Sequence, residues 1–367
     1  MDTKKKTFSG WLTAALLLVP ASLCLLFSVL KHNCAIMDTW VYGIMGPMEQ
    51  SWGRLWALLP ISGMELWIAG ALTGSVIWLV RTVVLLIRQR QPRLFLRRVL
   101  AFAIVCLWVL ALFNWLWNAA YYASSFSRRS GLNVQPYSVE ELGTVTEYFA
   151  RQAAALSNQV ERDEDGHFAE DIKDCFLRAP DIYANLTREF PCLTMPSVRA
   201  KPIFFSRLQS ILGFTGMYFP FTGEANVNVD APSCLVPATI AHEMAHQRMV
   251  ASELEANFVG IAACVTSDDV VFQYSGYLMG LIQACNALYP VAPQLWYDIA
   301  GRWFTPEMTT DWNDNNNYWI ALESPVEDTA ERTYDAFLKS NDQELGIRSY
   351  GACVDLLVTY FGPLTQS

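Results

Sequence analysis

The sequence runs TIAHEMAHQRMVASELEANF from residue 239 to residue 258. It contains the pattern His-Glu-x-x-His, with His242 and His246 four residues apart and Glu243 beside the first histidine. Residues four apart lie on one face of a helix, so both imidazoles can bind one metal ion at the zinc–nitrogen distance of about 2.0–2.1 Å. Glu243 is rotated by about 100° and can reach a reacting water molecule rather than the ion. The spacing therefore predicts a Zn²⁺ site with Glu243 as the catalytic base.

A catalytic zinc site takes three protein ligands and keeps one position open. Only two other histidines exist, His32 beside the first apolar stretch and His167 in an acidic loop. We therefore expect the third ligand to be a carboxylate, either Glu253 or Glu255. A continuous helix would carry Glu253 about 10 Å beyond His246, so the helix must end and the chain must fold back.

Ser252 and Glu255 form an S-x-x-E capping box, which predicts the start of a second helix. This would engage Glu255 at the helix terminus, so Glu253 is the favoured ligand and Glu255 the alternative. Asn257 follows Glu253 by four residues on the same face. We expect its side chain to hydrogen-bond one of the ligand histidines.

Around this stretch the sequence predicts an α+β region, mostly helical with a small sheet, over residues 123–367. Apolar residues recur at helical spacing in several segments, namely 138–160, 168–188, 236–250, 253–266, 269–288, 324–340 and 346–361. Strands are predicted at 199–205 and within 213–230, where apolar and polar residues alternate between glycines. The composition of 309–317, TTDWNDNNN, predicts a loop.

Residues 1–122 are predicted to form a membrane region. Each of three apolar stretches is long enough to cross a hydrocarbon core of about 30 Å, and they lie at 11–30, 66–87 and 99–118. Trp115 and Trp117 are expected to anchor the last span at the membrane–water interface. Arg81 is the only charge within these spans, which gives little support to a transport function.

The charge distribution predicts the orientation in the membrane. The first 122 residues carry 11 Lys and Arg against 4 Asp and Glu, whereas the remainder carries 15 against 31. Basic residues precede the first span and fill 88–98, so the N-terminus and this loop are expected in the cytoplasm and residues from 123 onward outside it. An acidic region is a poor partner for nucleic acid. The expected partners are the lipid bilayer and a peptide or protein substrate.

Two stretches, HEMAHQR followed by ELEANF and FPFTGEANVN, resemble a bacterial membrane-protein family of unassigned function whose members have three spans and a predicted zinc-peptidase domain. The resemblance covers nearly the whole chain. The pattern H-E-x-x-H followed by E-x-x-A-N is also similar to the E-x-x-A-D of integral-membrane gluzincin peptidases. It implies a zincin-like fold and supports Glu253 as the third ligand and Asn257 as its neighbour. Asn257 stands where those peptidases carry Asp, which weakens charge assistance to the histidine, and Met249 stands where a glycine is expected.

In gluzincins an edge strand beside the zinc helix holds the substrate in extended form. The stretch MYFPFTGEANVN resembles that strand, which implies substrate contacts for Phe219, Gly223, Asn226 and Asn228. An ordinary hairpin is the alternative interpretation.

Peptidases also need a hydrogen-bond donor for the developing oxyanion. Tyr350 is the expected donor, with Tyr318, Tyr334 and Arg332 as alternatives. The expected function is that of a membrane-anchored zinc metallopeptidase, which hydrolyses peptide bonds with a water molecule that zinc activates. The alternative is a non-hydrolytic sensor or partner-binding membrane protein that uses the same fold.

Overall fold

A computed structural model describes residues 2–89, 92–196, 198–341, 343 and 350–365. Its N-terminal part folds into α1 (Asp2–Leu30), α2 (Cys34–Trp40), α3 (Gly46–Trp56), α4 (Gly63–Gln89) and α5 (Pro92–Leu116), with a π-helical turn at Val41–Met45 between α2 and α3. Within α1, α4 and α5, three stretches are long and apolar enough to cross a membrane, namely Trp11–Leu30, Gly63–Arg88 and Arg93–Leu116. This confirms the predicted spans, although the second and third begin earlier than expected.

The remainder is mostly helical. Its helices are α6 (Phe126–Ser130), α7 (Val139–Leu156), α8 (Ile172–Arg178), α9 (Leu186–Glu189), α10 (Ser206–Ile211), α11 (Val236–Gln247), α12 (Glu253–Thr266), α13 (Val270–Leu288), α14 (Pro293–Trp303), α15 (Pro306–Ile320), α16 (Pro325–Ser340) and α17 (Tyr350–Phe361). Its strands are β1 (Lys201–Pro202), β2 (Gly216–Phe219) and β3 (Glu224–Val227). A mostly helical chain with a small sheet agrees with the predicted fold class.

Helix α12 lies at the centre of the core. From Phe258 to Val265 its sequence is apolar on every side, as expected for a helix that is buried all round. It packs against α11, α13 and α17, and α7 covers the far side of α13. Gly260 permits the close approach of α11, because a Cβ there would lie 2.8 Å from the backbone nitrogen of His242.

The sheet has the order β1-β3-β2, so β2 lies at an edge. β1 is parallel to β3, whereas β2 is antiparallel to it, with Gly216 opposite Val227 and Phe219 opposite Glu224. Both β3 and β2 contact α11. The sheet therefore supports the helix that carries the two histidines.

A buried ion pair ties the sheet to the second span. Lys201 and Glu224 are 5% and 0% exposed, and their charged atoms lie 2.6 Å apart. Glu224 also accepts hydrogen bonds from the backbone nitrogens of Gly63 and Met64, which are the first residues of α4. Helix N-termini leave such N–H groups without partners inside the helix. A carboxylate of the sheet therefore accepts the hydrogen bonds of the first amides of the second span.

The segment between the first two spans packs onto the main helical region instead of forming a separate loop. Tyr218 donates a hydrogen bond to the buried carboxylate of Glu49, and Gln50 donates to the carbonyl of Gln247 at the end of α11. A domain division at residue 122 remains a prediction, but the first 122 residues contribute directly to the surroundings of the histidines.

Two secondary-structure predictions for residues 123–367 are wrong. The helix expected at 168–188 is interrupted after α8 by a short 3₁₀ turn, Ala179–Asp181, within which Pro180 lacks an amide hydrogen. The loop expected at 309–317 lies within α15. Thr305 caps that helix and Pro306 follows in its first turn, and buried Asp311 pairs with Arg162, so capping and tertiary contacts override the poor helix propensity of the Asn-rich stretch.

Candidate metal centre

His242, His246 and Glu253 converge where α11 and α12 meet. Each offers one ligand atom, and these atoms lie within 4.8 Å of one another. The Nε2 atoms of His242 and His246 lie 3.2 and 3.6 Å from the two carboxylate oxygens of Glu253. The sequence prediction of these three residues as a cluster thus agrees with their placement.

The reversal between the two helices depends on a left-handed residue. α11 ends after Gln247, and Met249 has a φ of 58°. The chain thus adopts the conformation for which glycine was expected, but with a methionine whose side chain is buried against Gly46. The next residue, Val250, places its carbonyl oxygen 2.7 Å from Nδ1 of His246. This contact fixes the ring so that Nε2 faces Glu253.

Glu255, the alternative ligand, is engaged elsewhere. Its carboxylate accepts hydrogen bonds from the backbone nitrogens of Phe126 and Ser127 and from the Ser127 hydroxyl, at 2.6–2.8 Å. The predicted capping box is wrong, because Ser252 occupies the N-cap position without a side-chain hydrogen bond to the helix. Glu255 therefore fastens α12 to the start of α6 and does not face the histidines.

Electrostatic coupling within the cluster is strong. Burial lowers the pKa of His246, but the neighbouring Glu253 carboxylate outweighs this and raises the pKa to about 9. Burial opposes ionisation of Glu253, yet the two histidines hold its pKa well below the usual range. Without a metal, the arrangement thus favours an imidazolium paired with a carboxylate. A metal ion would replace the imidazolium proton.

Glu243 lies beside the cluster and is buried, 3% exposed. Burial raises its pKa to about 7, against the opposing effect of His242 and His246 and of the backbone N–H of Tyr218. Gly216 on β2 makes room for it, because a Cβ there would lie 2.4 Å from Oε1 of Glu243. Among the described residues, Oε2 of Glu243 has no hydrogen-bond partner. Glu243 thus lies directly against the edge strand.

Asn257 does not have the predicted contact. Within the described part of the chain, no hydrogen bond joins it to His242 or His246, and the buried Nδ1 of His242 has no partner there. His246 takes its orienting contact from the Val250 carbonyl instead. Glu253 has a different neighbour, Tyr334, whose hydroxyl donates to Oε1 of its carboxylate.

The residues predicted to meet a substrate are mostly structural. Asn226 accepts a hydrogen bond from Ser62 just before the second span, and Asn228 donates to Ser210 and to the carbonyl of Phe214. Both asparagines are fully buried and belong to β3 or its end, so neither lies on a free strand edge.

The other two predicted strand residues form the end of the hairpin. Gly223 has a φ of 66° in the turn and lies against the backbone of α3. Phe219 packs on Trp67 and Phe221. The open edge belongs to β2, one strand away from the asparagines.

The predicted oxyanion donors lie in different places. The side chain of Tyr350 falls outside the described residues. Tyr318 donates to Asp230 and Ser210, away from the cluster, and Arg332 is exposed on α16. Of the named alternatives, Tyr334 is the one that contacts a candidate ligand.

Trp117 was expected at the lipid interface, and this prediction is wrong. Its side chain is 7% exposed and its ring packs edge-on against His246, with centroids 5.6 Å apart. Tyr121 lies near Glu253, whose charge adds to burial in raising its pKa. Nothing in the local sequence pattern identified either aromatic residue as a neighbour of the histidine–glutamate cluster. Both reach it only through the packing of the chain after α5.

The separations of the ligand atoms are compatible with one zinc ion. Tetrahedral coordination with bonds of about 2.0–2.1 Å separates ligand atoms by roughly 3.3 Å. The two histidine–carboxylate separations lie on either side of this value, and all three ligand atoms lie within 4.8 Å of one another. Two imidazoles and one carboxylate are also the ligand set of catalytic zinc sites that keep one position open. The ring nitrogen of His246 that would not bind the ion, Nδ1, already has a carbonyl partner.

Comparison with family models gives one match, over residues 41–358, to a family described as "Protein of unknown function (DUF3810)". The match spans most of the chain. The chain belongs to this family. No curated protein and no solved structure matches it significantly. Membership in DUF3810 agrees with the expected resemblance to a family of unassigned function, and the matched range includes α11, α12, the sheet and the second and third spans.

Proposed function

We propose that this protein is a membrane-anchored zinc metallopeptidase of the gluzincin type. The observation that carries the proposal is the cluster of His242, His246 and Glu253, with buried Glu243 beside it and the edge of β2 passing against Glu243. Structural ion pairs also bury histidine and glutamate. They do not usually leave a base free beside an open strand edge, and this combination supports catalysis over scaffolding.

His242, His246 and Glu253 would hold the ion. When bound, zinc polarises a carbonyl group and lowers the pKa of water to about 7. The Val250 carbonyl orients His246, and Tyr334 orients Glu253. These contacts keep the ligand atoms in position before any substrate arrives, which reduces the reorganisation needed for binding.

Glu243 would accept the proton of the attacking water at Oε2 and then deliver it to the leaving amine. A carboxyl group whose pKa is raised towards neutrality is suited to both transfers, and burial acts in this direction on the pKa of Glu243. The backbone of β2 would hold the peptide in extended form through main-chain hydrogen bonds, which place little demand on its sequence.

The proposal includes the location of the site. The basic N-terminus and the basic connection between the second and third spans favour the cytoplasm by the positive-inside rule. The residues at the end of the first span, the start of the second and the end of the third contact the chain that follows the spans. We therefore propose that the metal centre lies outside the cytoplasm, close to the membrane surface.

A second candidate is a sensor or partner-binding protein that keeps the zinc centre but hydrolyses little. The observation that favours it is the buried Nδ1 of His242, which has no partner among the described residues, together with Asn257 where related peptidases carry Asp. A peptide that copurifies uncleaved with the zinc-loaded wild type would support this alternative.

The first test is the zinc content of the full-length protein purified in detergent, beside a His242→Ala/His246→Ala variant. We expect one zinc per chain in the wild type and none in the variant. A folded wild type that binds no zinc would exclude the proposed chemistry.

The second test compares Glu243→Gln with the wild type on a randomised peptide library. The variant should keep zinc and lose hydrolysis by a factor of about 10²–10⁴. Glu331→Gln makes the same change at an exposed site on α16 and should leave cleavage unaltered. Full activity in Glu243→Gln would contradict the assigned base.

A further inference from the structure

We propose that the substrate is a polypeptide that emerges from the bilayer, cut within a few residues of its membrane-spanning segment. This inference rests on the proposed peptidase function. It depends on where the edge of β2 begins and ends.

One end of β2 lies beside Glu243, the proposed catalytic base. Asn228 donates its backbone N–H to the carbonyl of Thr215, so the backbone groups of Thr215, Met217 and Phe219 face β3, and those of Gly216 and Tyr218 face away from it. The Tyr218 N–H is directed at the Glu243 carboxylate, so the backbone of Gly216 and the carbonyl of Tyr218 are the groups left to pair with a peptide. Gly216 lies directly against Glu243. A peptide paired with this edge therefore passes the candidate metal centre.

The other end of β2 lies between two membrane spans. Phe221, at the tip of the hairpin, stacks on Trp67 with centroids 5.1 Å apart and on Phe113 with centroids 6.4 Å apart. Trp67 belongs to the second span and Phe113 to the third. Phe219 also contacts Trp67, at 5.8 Å. The hairpin tip is thus wedged between the ends of these two spans.

The distance between these two ends is short. From Gly216 to Phe219 an extended strand covers about 10 Å. Trp117, which packs on His246, follows the last residue of the third span by one position. The metal cluster is thus near the level at which the spans leave the bilayer, and a strand paired with β2 leads from it towards the lipid.

An apolar groove borders the same route. It has a volume of about 620 Å³ and lies between α16 and the segment before β2, with Leu212, Phe214, Val326, Ala330, Tyr334 and Phe337 in its wall. Tyr334 connects it to Glu253, and Phe337 packs on Phe113 of the third span. The groove is suited to an apolar side chain, such as those that flank a membrane-spanning segment.

The test uses the full-length, zinc-loaded protein in liposomes with substrates built on one membrane-spanning helix. A library of randomised ten-residue segments is joined to this helix either directly or through a flexible Gly/Ser spacer of about 30 residues, which has a root-mean-square length of roughly 30 Å. Both formats have the same concentration in the membrane, so they differ only in the distance of the segment from the bilayer.

We expect the directly joined library to be cut at least about tenfold faster, because a segment held at the membrane surface has a higher effective concentration at β2 than one at the end of a flexible spacer. The cuts should fall within roughly 3–6 residues of the helix, given the length of β2. Equal cleavage of both formats would overturn this inference and leave the peptidase function intact. Absence of cleavage in both formats, with one zinc bound per chain, would overturn the peptidase function itself.

A charge in the groove provides a second readout. Val326→Glu introduces a carboxylate at an exposed position of the wall and should shift the preferred residues near the cut from apolar to basic or small. Ala336→Glu adds the same charge to an exposed position of α16 outside that wall and should leave the preference unchanged. An unchanged preference in both variants would contradict the role of the groove.

Discussion

Two glutamates of this chain, fully buried Glu224 and partly buried Glu253, have opposite surroundings. Glu224 meets Lys201 and two backbone nitrogens of α4, and the Lys201 ammonium also donates to the carbonyls of Trp56 and Ile61. Each of the three ammonium hydrogens thus has an acceptor. Glu253 meets two histidines and a tyrosine, but beside it Nδ1 of His242 and Oε2 of Glu243 have no partners among the described residues. The first cluster is complete without any ligand and serves the fold. The second leaves polar atoms without partners, and one of them belongs to Glu243, which lies against β2; this is the property expected of a site.

The largest effect on stability is expected at the complete cluster. Lys201→Met would leave Glu224 buried without its cation, which costs about 3–5 kcal/mol in the free energy of unfolding. The measurement is thermal denaturation of the full-length protein in detergent. The Lys201→Met/Glu224→Gln double variant should recover much of the loss, because the uncompensated charge is gone. A loss in Lys201→Met no greater than that in metal-free Glu253→Gln would remove the distinction between the two clusters.

Gly260→Ala should affect both stability and metal binding. The added Cβ would lie 2.8 Å from the backbone of His242 and would force α11 and α12 apart, at a cost of about 1–3 kcal/mol. Zinc affinity should fall as well, since Glu253 moves with α12. Thermal denaturation and a zinc titration check this.

Gly301→Ala is the matched control for that change. Gly301 also lies within a helix, α14, but a Cβ there has open space. That variant should keep the zinc affinity and gain slightly in stability, because alanine favours the helix over glycine. Equal zinc affinity in Gly260→Ala and the wild type would show that the close approach of the helices does not position Glu253.

The metal-free protein should lose stability at alkaline pH. The folded pKa of His246 is raised to about 9, above the ordinary value near 6.5. A raised pKa contributes stability that is fully present below about pH 6.5 and is lost as the pH rises through about 9. Melting temperatures of the chelator-treated protein at several pH values would test this. In Glu253→Gln the loss between neutral pH and pH 9 should be reduced, and an unchanged profile would refute the coupling.

The smallest effect concerns the reversal after α11. A left-handed conformation costs an L-residue about 1–2 kcal/mol, and Met249 adopts it with a φ of 58°. Met249→Ala should lose the buried side chain and keep this cost, whereas Met249→Gly should lose the side chain but avoid the cost. We therefore expect the glycine variant to be more stable than the alanine variant by about 1 kcal/mol in thermal denaturation. The reverse order would mean that the turn relaxes away from the left-handed region.

Local patterns were sufficient to predict the spans, α12 and the two histidines. Apolar runs of about 20 residues and helical spacing can each be recognised within one continuous segment of sequence. For this reason α12 was predicted with its observed bounds, Glu253–Thr266. The choice of Glu253 over Glu255 followed from a local pattern, the S-x-x-E capping box expected to engage Glu255 at the start of the helix. The assumed capping box was nevertheless absent, because Glu255 binds the start of α6, which lies more than 120 residues away in sequence.

Tertiary contacts explain what the sequence did not predict. Asn226 and Gly223 looked like parts of a substrate strand, but β3 lies in the middle of the sheet and joins it to the residues around the second span. Trp117 looked like an interface anchor, but the turn after α5 brings it to His246. In each case the residue type was compatible with both roles, and only the position of a distant segment decides between them.

The contact between Glu224 and the start of α4 has a consequence for biosynthesis. Glu224 follows Met64 by 160 residues. At a translation rate of about 5–20 residues per second, the second span is made roughly 10–30 s before the carboxylate that completes its N-terminus exists. During that interval the beginning of the span is a helix end with unmatched amides at the edge of the bilayer, and the sheet cannot close until the ribosome has passed β3. A chain released before that point would therefore contain the apolar helices but lack the contact that joins the second of them to the sheet beside the candidate metal centre.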